Sequence, residues 1–335
     1  MKLNLHPFRL PLKEPFVLSH GTFHHREALI IELEEDSHKG YGEATVITYY
    51  GKSMAELTKK VTAQKDNIQS LELNLSSPTP PKVPKIFQDE PFLQSALDCA
   101  IWDLWGQQNK TPVHAFLSSG QEPPMSSFTL SGSPDAILNT LQKDEWPIYK
   151  VKLGGNDDDA ILPILFSFSD KKEIRIDANG GWSPKQALRY IEELVAHNIT
   201  FIEQPLSPEN DEHIPSLKAA TGAQFWADES AQNDHSISHC SRFFDGINFK
   251  LMKSGGISPV LREIEIARAK GLDVGLGCMT ETSFGISALG QIAALADSLD
   301  MDGNLLLASD PGKGAFIRNG KVILPKGNGL GCSWR

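Results

Sequence analysis

Apolar and polar positions in the first fifty residues follow a pattern that predicts β-strands. Residues 28–33 form a run that is apolar except for Glu32, and residues 40–44 form a second short segment after a polar turn. Short runs of this kind, bounded by polar turns, are typical of strands. The apolar positions of residues 92–105 recur at three- and four-residue spacing instead, which predicts a helix. Residues 53–71 also have a helical pattern, and the proline-rich stretch 76–84 cannot continue it.

From about residue 126 the pattern changes to short apolar strands that alternate with helical stretches. We predict strands at 127–131, 149–153, 173–177, 200–203, 224–228, 246–251 and 272–276, and a weak last strand that ends near 300–302. Helical patterns, such as those at 184–197, 257–270 and 286–296, lie between them. Eight strand–helix steps over this length predict a fold of the α/β class, a (β/α)8-type barrel.

Both ends of the chain depart from this rhythm, which predicts a second and smaller domain. We place an α+β N-terminal capping domain at residues 1–120 and the barrel domain at 121–309. Residues 315–324 contain an Asn-Gly pair that predicts a hairpin. We expect this hairpin, within a tail of about 310–335, to return to the N-terminal domain and complete it.

Charge and composition exclude several classes of partner. The net charge is −10 and the chain has no basic cluster, which argues against nucleic acid and anionic membranes. No stretch could span a bilayer, and the first residues lack the apolar run of a signal peptide. The four cysteines are scattered without a C-x-x-C pair, which is typical of reduced thiols in a cytoplasmic protein. We therefore expect a cytoplasmic protein with a small-molecule substrate. The sequence leaves open whether the protein forms a homo-oligomer.

Two lysines on one predicted strand are the first candidates for chemistry. Lys150 and Lys152 are two residues apart, so their side chains point to the same face. Ammonium groups held side by side lower each other's proton affinity, and a lysine treated in this way can be partly neutral near pH 7 and act as a base. An isolated K-x-K pattern can also be the solvated face of a strand. The strands that follow decide whether these lysines are catalytic or merely exposed to solvent.

Three carboxylates, Asp177, Glu203 and Asp228, each end one of three consecutive predicted strands, about 25 residues apart. Barrel enzymes place their chemistry at these strand ends. Three negative charges there repel one another unless a cation lies among them, and ligands that are all oxygen favour Mg²⁺ over zinc. Lys250 lies on the sixth predicted strand and is expected to face Lys152 across the barrel mouth, whereas we assign Lys253 a structural role.

Other polar clusters have simpler explanations. Residues 19–26 include three histidines, but His24 and His25 are adjacent and would diverge on a strand. We therefore favour a mobile polar loop, acting as a lid, over a metal site. Asp98 and Asp103 flank the apolar stripe of helix 92–105 on different faces, which favours capping or salt-bridge roles over catalysis.

Taken together, these motifs resemble the muconate-lactonising subgroup of the enolase superfamily, an enolase-like modified TIM barrel with a capping domain. The resemblance covers essentially the whole chain. It is carried by K-x-K at 150–152, the trio Asp177, Glu203 and Asp228, and K-x-x-x-x-G-G from Lys250. Asp300 and Asp302 form a D-x-D pair that resembles the signature of dipeptide epimerases. At strand spacing these two carboxylates share a face and can accept hydrogen bonds from a substrate ammonium.

The resemblance implies a Mg²⁺-dependent isomerase that transfers a proton at the α-carbon of the C-terminal residue of a dipeptide, through an enediolate. It implies that Lys152 and Lys250 act as bases on opposite faces of that carbon. Lys150 would lower the proton affinity of Lys152 and help to hold the substrate carboxylate. The three strand-end carboxylates would hold the metal. An o-succinylbenzoate synthase or N-acylamino acid racemase stays an alternative, as does a metal-binding scaffold without turnover.

Substrate specificity is less well marked in the sequence. Epimerases that prefer Ala-Glu resemble one another in an arginine of the first-strand loop, but this chain has Gly21 where that arginine is expected. Arg26 lies nearby, in what we predict to be the next strand. The resemblance therefore implies a substrate range that is not restricted to Ala-Glu. Further candidate contacts are Thr129, Met279 and Thr280, with His20, Phe23, His24 and Arg26 as the specificity loop, whereas Glu281 suits a structural role equally well.

Overall fold

A computed structural model of the chain describes residues 1–18, 21–117, 120–143, 145–232 and 234–335. The chain begins with a three-stranded antiparallel sheet formed in order by β1 (Lys2–Leu18), β2 (Gly21–Glu35) and β3 (His38–Val46). The helices that follow it are α1 (Met54–Ala63), α2 (Lys65–Gln69), α3 (Pro91–Gln108) and α4 (Val113–Leu117). The helix predicted at 53–71 is thus divided at Gln64, and α3 has a proline in its first turn, where no backbone hydrogen bond is lost.

The middle of the chain forms a barrel of eight parallel strands. In chain order these are β4 (Phe128–Leu130), β5 (Ile148–Lys152), β6 (Glu173–Asp177), β7 (Phe201–Glu203), β8 (Gln224–Ala227), β9 (Gly246–Lys250), β10 (Asp273–Gly277) and β11 (Ser298–Asp300). A bridge between Ser126 and Leu299 joins the two ends of the sheet. The predicted fold class, a (β/α)8-type barrel with an α+β capping domain, is confirmed.

Helices separate the strands of the barrel, with one exception at its end. They are α5 (Pro134–Gln142), α6 (Asp158–Phe166), α7 (Pro184–Val195), α8 (Ile214–Thr221), α9 (Asp234–Cys240), α10 (Leu251–Ser254), α11 (Ile257–Ala269) and α12 (Ser283–Gly290). A short 3-10 turn at Gly303–Leu306, and not a helix, follows β11. The prediction of eight complete strand–helix steps is therefore wrong for the last step. No helix in the described ranges combines the length and hydropathy needed to cross a membrane.

The C-terminal tail contains β12 (Gly312–Lys313), β13 (Phe316–Arg318), β14 (Lys321–Ile323) and β15 (Ser333–Trp334). The hairpin β13–β14 is confirmed, and its turn contacts the residues before the first barrel strand: Ser126 N donates to Gly320 O at 2.8 Å. The residues after the hairpin contact the N-terminal domain. Val113 N donates to Gly329 O at 3.0 Å, and the Trp334 ring packs edge-on against Tyr41. The domain boundaries themselves stay a prediction.

The polar stretch between the first two strands is a strand and not a loop. Gly21 to Arg26 belong to β2, with Phe23 paired to Phe16 and Arg26 paired to Leu10 on β1. The prediction of a mobile loop that acts as a lid at 19–26 is therefore wrong for 21–26. The second strand continues beyond its apolar residues, because alternate side chains of an exposed strand can face water and need not be apolar. Ser19 and His20 lie outside the described residues.

The two acids of α3 stabilise the packing of other segments. Asp98 Oδ2 accepts a hydrogen bond from Ser258 N at 3.0 Å, in the first turn of α11, so its predicted capping role is confirmed on a neighbouring helix. Asp103 instead joins three segments, because its carboxylate accepts from Tyr41 N at 3.0 Å and from Leu330 N at 2.8 Å. A salt bridge of Asp103 is not found in the described ranges, so that part of the prediction is wrong.

We expect Asp103→Ala to lower the free energy of unfolding by about 2–6 kcal/mol, because each of two buried backbone N–H groups that lose their acceptor costs about 1–3 kcal/mol. Denaturant unfolding followed by tryptophan fluorescence measures this change. Glu192→Ala, which removes an exposed acid from α7, is the matched control and is expected to change the stability by less than about 0.5 kcal/mol. Equal effects of the two substitutions would contradict the structural role of Asp103.

Candidate active site at the mouth of the barrel

Three buried carboxylates from neighbouring strands converge at the carboxyl ends of the barrel strands. Asp177 and Glu203 are paired residues at the ends of β6 and β7, and Asp228 directly follows β8. Each offers an oxygen atom, and these atoms all lie within 4.8 Å of one another. Parallel strands place their carboxyl ends at one edge of the sheet, so the sequence pattern of one acid per strand becomes a cluster in space.

The two lysines of β5 neutralise one side of this cluster. Lys152 Nζ donates to Asp177 Oδ2 at 2.6 Å, and Lys150 Nζ lies 3.1 Å from the same oxygen. Burial acts to raise the pKa of Asp177, but these two ammonium groups outweigh it and hold that pKa below its usual value. Burial also raises the pKa of Glu203 to about 7, against the opposing effect of Lys150.

Lys150 has more anionic partners than its strand position predicts. Its Nζ donates to Glu203 Oε1 and to Asp300 Oδ2, each at 2.8 Å. Burial acts to lower the pKa of Lys150, but Asp300 and Glu203 raise it well above its usual value. The expectation that neighbouring lysines lower each other's proton affinity is therefore wrong for Lys150, because carboxylates from distant strands surround its ammonium group.

Lys250, the last residue of β9, and Lys253 in α10 neutralise the other side of the cluster. Lys250 Nζ donates to Asp228 Oδ2 at 2.7 Å, and Lys253 Nζ donates to Asp228 Oδ1 at 2.7 Å and to the carbonyl oxygen of the same residue. Burial would raise the pKa of Asp228, but both lysines outweigh it and lower that pKa. Lys152 and Lys250 thus contact opposite ends of the carboxylate cluster, one through Asp177 and the other through Asp228.

The D-x-D pair lies on the side of the barrel where β11 meets β4. Asp302 accepts from Thr129 N at 2.6 Å and from Thr129 Oγ1 at 3.1 Å. Burial, with the nearby charge of Asp300, raises the pKa of Asp302 to about 7. Burial would also raise the pKa of Asp300, but Lys150 and Lys152 outweigh it and lower that pKa. The pKa values of the two carboxylates are therefore shifted in opposite directions.

A cavity at the barrel mouth brings most of the predicted site residues together. Those that line it are Thr129, Lys152, Asp228, Lys250, Met279, Thr280, Asp300 and Asp302 from the barrel and Arg26 from the N-terminal sheet. Phe23 and His24 do not line it: Phe23 lies under the Arg26 guanidinium, and His24 is exposed nearer the tip of the hairpin. The remaining loop candidate, His20, is outside the described residues.

Several cavity residues are not identified by the sequence reasoning. They are Phe16, Ile47, Tyr49, Tyr50, Asn179, Glu229, Cys278, Gly303 and Leu306. The adjacent tyrosines after the third strand, Tyr49 and Tyr50, were a usable signal, because aromatic side chains commonly line ligand-binding clefts; Tyr49 is exposed and Tyr50 is half-buried. Asn179, Glu229, Cys278, Gly303 and Leu306 come from loops that follow barrel strands, whereas Phe16 and Ile47 reach the cavity because the N-terminal sheet packs over the barrel mouth, which local patterns do not encode.

The residues around the carboxylate cluster fit a hydrated divalent cation. Its three acids offer only oxygen atoms, the ligands that Mg²⁺ prefers. Beside them, Asn179 Oδ1 and Glu229 Oε2 are buried acceptors without a hydrogen-bond partner, although Asn179 Nδ2 donates to Glu229 Oε1 at 3.1 Å. Buried acceptors of this kind are suited to water molecules on a metal ion, because Mg²⁺ keeps part of its hydration shell.

Comparison with known families agrees with this geometry. Residues 3–118 match the model of the mandelate racemase / muconate lactonizing enzyme N-terminal domain, and residues 137–335 match the enolase C-terminal domain-like model. The chain belongs to the enolase superfamily. The two matches cover nearly all of the chain, so the resemblance inferred from the motifs is confirmed.

Individual members of the superfamily place the chain in its dipeptide epimerase group. The chain is 32% identical to an L-Ala-D/L-amino acid epimerase from Flavobacterium johnsoniae, over 99% of both chains. It is also 32% identical to a hydrophobic dipeptide epimerase from Roseobacter litoralis, over 97% of this chain and 96% of the other. A crystal structure of dipeptide epimerase from Cytophaga hutchinsonii, complexed with Mg and D-Ala-L-Val, superimposes with a TM-score of 0.90 at 27% identity, covering 99% of this chain and 95% of the other.

Proposed function

We propose that the protein is a Mg²⁺-dependent dipeptide epimerase, which inverts the α-carbon of the C-terminal residue of its substrate by proton transfer. The observation that carries this proposal is the placement of Lys152 and Lys250 at opposite ends of one carboxylate cluster, in the cavity that also contains Asp300 and Asp302. The activities named for the relatives from Flavobacterium johnsoniae and Roseobacter litoralis support it.

Both charged ends of a dipeptide have complementary groups in this cavity. The N-terminal ammonium would donate to Asp300 and Asp302, since carboxylates form strong hydrogen bonds with ammonium groups. The carboxylate would lie toward the barrel floor, near Lys150 and the metal-binding acids. With its two ends fixed in this way, the α-carbon of the second residue lies between Lys152 and Lys250, which provides the orientation on which proton transfer depends.

Proton transfer needs one neutral amine and one ammonium group. The neutral lysine takes the α-proton, the C–H electron pair moves into the carboxylate, and the opposite lysine donates a proton to the other face. The carbon is thereby inverted, and the two lysines exchange roles for the opposite enantiomer. Mg²⁺, held by Asp177, Glu203 and Asp228, would stabilise the negative charge that develops on the substrate carboxylate.

A panel of L,L-dipeptides, incubated in D₂O with Mg²⁺ and analysed by mass spectrometry, tests the proposal. We expect deuterium at the α-carbon of the C-terminal residue, together with the L,D product. The panel also includes N-succinylated and N-acylated amino acids, which lack a free ammonium group. Exchange of those compounds, without exchange of any dipeptide, would contradict the proposal.

Asp302→Asn is expected to raise KM for a dipeptide by about 10- to 100-fold, because a hydrogen bond to a charged group contributes about 1.5–3 kcal/mol. The value of kcat should change much less, since Asp302 does not contact the reacting carbon in this scheme. Steady-state polarimetry with the free dipeptide measures both constants. An N-acetylated dipeptide is the control, because its weaker binding should not depend on residue 302. An unchanged KM for the free dipeptide would remove Asp302 from the ammonium site.

A further inference from the structure

Gln204 is a buried polar residue that directly follows Glu203 of the carboxylate cluster. It is fully buried, and it is not among the described residues that line the cavity at the barrel mouth. No step of the proposed reaction uses its side chain. Its backbone φ angle is +36°, a left-handed conformation that costs energy in a residue with a Cβ atom. The contacts around Gln204 must outweigh that cost, so they indicate what the residue does.

The side-chain oxygen of Gln204 holds the segment that carries Asp228. Gln204 Oε1 accepts a hydrogen bond from Asp228 N at 3.0 Å and a second one from Ser230 N at 3.1 Å. Both donors are backbone N–H groups just after the end of β8, and Asp228 carries one of the three cluster carboxylates. One amide oxygen therefore fixes the turn of the chain from which this carboxylate reaches the cluster.

The backbone of Gln204 connects the segments on either side of β7. Its carbonyl oxygen accepts from Gly180 N at 2.8 Å, three residues beyond Asp177. Its N–H group donates to Trp226 O at 2.9 Å, on β8. The segments that carry the three acids of the cluster therefore all form hydrogen bonds with this residue or contain it.

The neighbours of the Gln204 amide also determine its orientation. Its Nε2 donates to Leu206 O and to Ser230 Oγ, each at 2.9 Å, and lies 3.4 Å from Asp211 Oδ1. A backbone carbonyl can only accept a hydrogen bond, and the backbone N–H groups of Asp228 and Ser230 can only donate one. The amide therefore cannot be reversed without the loss of contacts on both sides. A side chain of the same length without the amide would leave several buried polar groups unsatisfied.

We infer that Gln204 is a positioning residue for the divalent cation, because it fixes the backbone segments of the three cluster carboxylates relative to one another. This inference rests on the metal site of the proposed function and adds to it a residue that does not line the cavity. The carboxylates repel one another, so a site that is to receive a cation must hold them together before the cation arrives. Hydrogen-bond partners outside the ligands are known to have this effect on metal affinity.

Calorimetric titrations of two buried-glutamine variants with Mg²⁺ test the inference. Gln204→Met removes the amide and keeps a side chain of similar length, so its Kd for Mg²⁺ should rise by about 10- to 100-fold. Gln291→Met is the matched control, because Gln291 is also buried and its amide joins α4 to the C-terminal tail through His114 N and Leu330 O. Its Kd for Mg²⁺ should stay within about threefold of the wild-type value, since effects at distant sites are usually independent.

Hydrogen exchange gives a second readout that needs neither the cation nor turnover. Peptides that contain the amides of Asp228 and Ser230 should exchange about 5- to 10-fold faster in Gln204→Met than in wild type, because both amides lose their acceptor. Gln291→Met should not change the exchange of these peptides. If Gln204→Met does not fold, Gln204→Asn takes its place with the same expected results, because an amide one carbon shorter cannot reach both N–H groups.

The outcomes separate this inference from the proposed function. An unchanged Kd for Mg²⁺ in the Gln204 variant, or an equal rise in Gln291→Met, would show that Gln204 only stabilises the fold, and the epimerase function would stand. If the Gln204 variant binds Mg²⁺ weakly but wild type exchanges the α-proton of no dipeptide, the positioning role stands and the proposed function fails. If wild type does not bind Mg²⁺, both the metal site and the role of Gln204 are wrong.

Discussion

Lys152→Met is expected to lower the rate of epimerisation by about 10²–10⁴-fold, and Lys250→Met by a similar factor, because each variant lacks one of two groups that carry the proton. Methionine keeps an unbranched side chain of similar length but cannot accept a proton. In the structure the two amines approach the carboxylate cluster from opposite ends, through Asp177 and Asp228. Loss of either one should therefore block inversion even though the other still reaches the substrate.

The two variants should differ in the hydrogen exchange that survives. A single remaining base can remove and return a proton on its own face, so each variant should exchange the α-hydrogen of one enantiomer with D₂O and leave the other unlabelled. Mass spectrometry of the L,L and L,D dipeptides measures both exchanges. Lys185→Met, an exposed lysine on α7, is the control and should behave as wild type. A variant at either position that still epimerises at the wild-type rate would contradict the two-base account.

Removal of the divalent cation is expected to lower epimerisation by at least about 10³-fold, because electrostatic stabilisation of a developing anion contributes several kcal/mol. The fold should survive this treatment, since lysine ammonium groups already contact the acids of the cluster; they are Lys150, Lys152, Lys250 and Lys253. Dialysis against EDTA, followed by the D₂O assay and far-UV circular dichroism, separates the two effects.

Addition of Mg²⁺ to the dialysed protein should restore the activity. Glu203→Gln should weaken Mg²⁺ binding by about 10-fold or more in calorimetric titrations, whereas Glu192→Gln, on the exposed face of α7, should not change it. Full activity of the metal-free protein would show that the carboxylate cluster does not hold a catalytic metal ion.

The barrel and its acids are predictable from the sequence because both follow a simple geometric rule. A short apolar run such as 201–203, Phe-Ile-Glu, that ends in a single acid predicts a buried strand with a polar carboxyl end, and parallel strands gather such ends at one edge. Asp177, Glu203 and Asp228 needed no further information to be placed together. The same reasoning fails after β11. The repeated strand–helix pattern predicts an eighth helix there, but the chain forms a short 3-10 turn at Gly303–Leu306.

Electrostatic environments were less predictable, because they depend on residues that are distant in the sequence. Strand spacing alone suggested that Lys150 loses proton affinity, but Glu203 and Asp300 surround its amine and have the opposite effect. The side chain of Arg26 is a similar case. Its position in the second strand could be inferred, whereas its entry into the cavity depends on how the N-terminal sheet packs over the barrel.

A crystal structure with both Mg²⁺ and a dipeptide bound tests the central claim most directly. The account predicts one cation bound to Asp177, Glu203 and Asp228, and an α-carbon with Lys152 Nζ on one face and Lys250 Nζ on the other, each within about 3–3.5 Å. Two amines on the same face of that carbon, or a cation bound elsewhere, would contradict it.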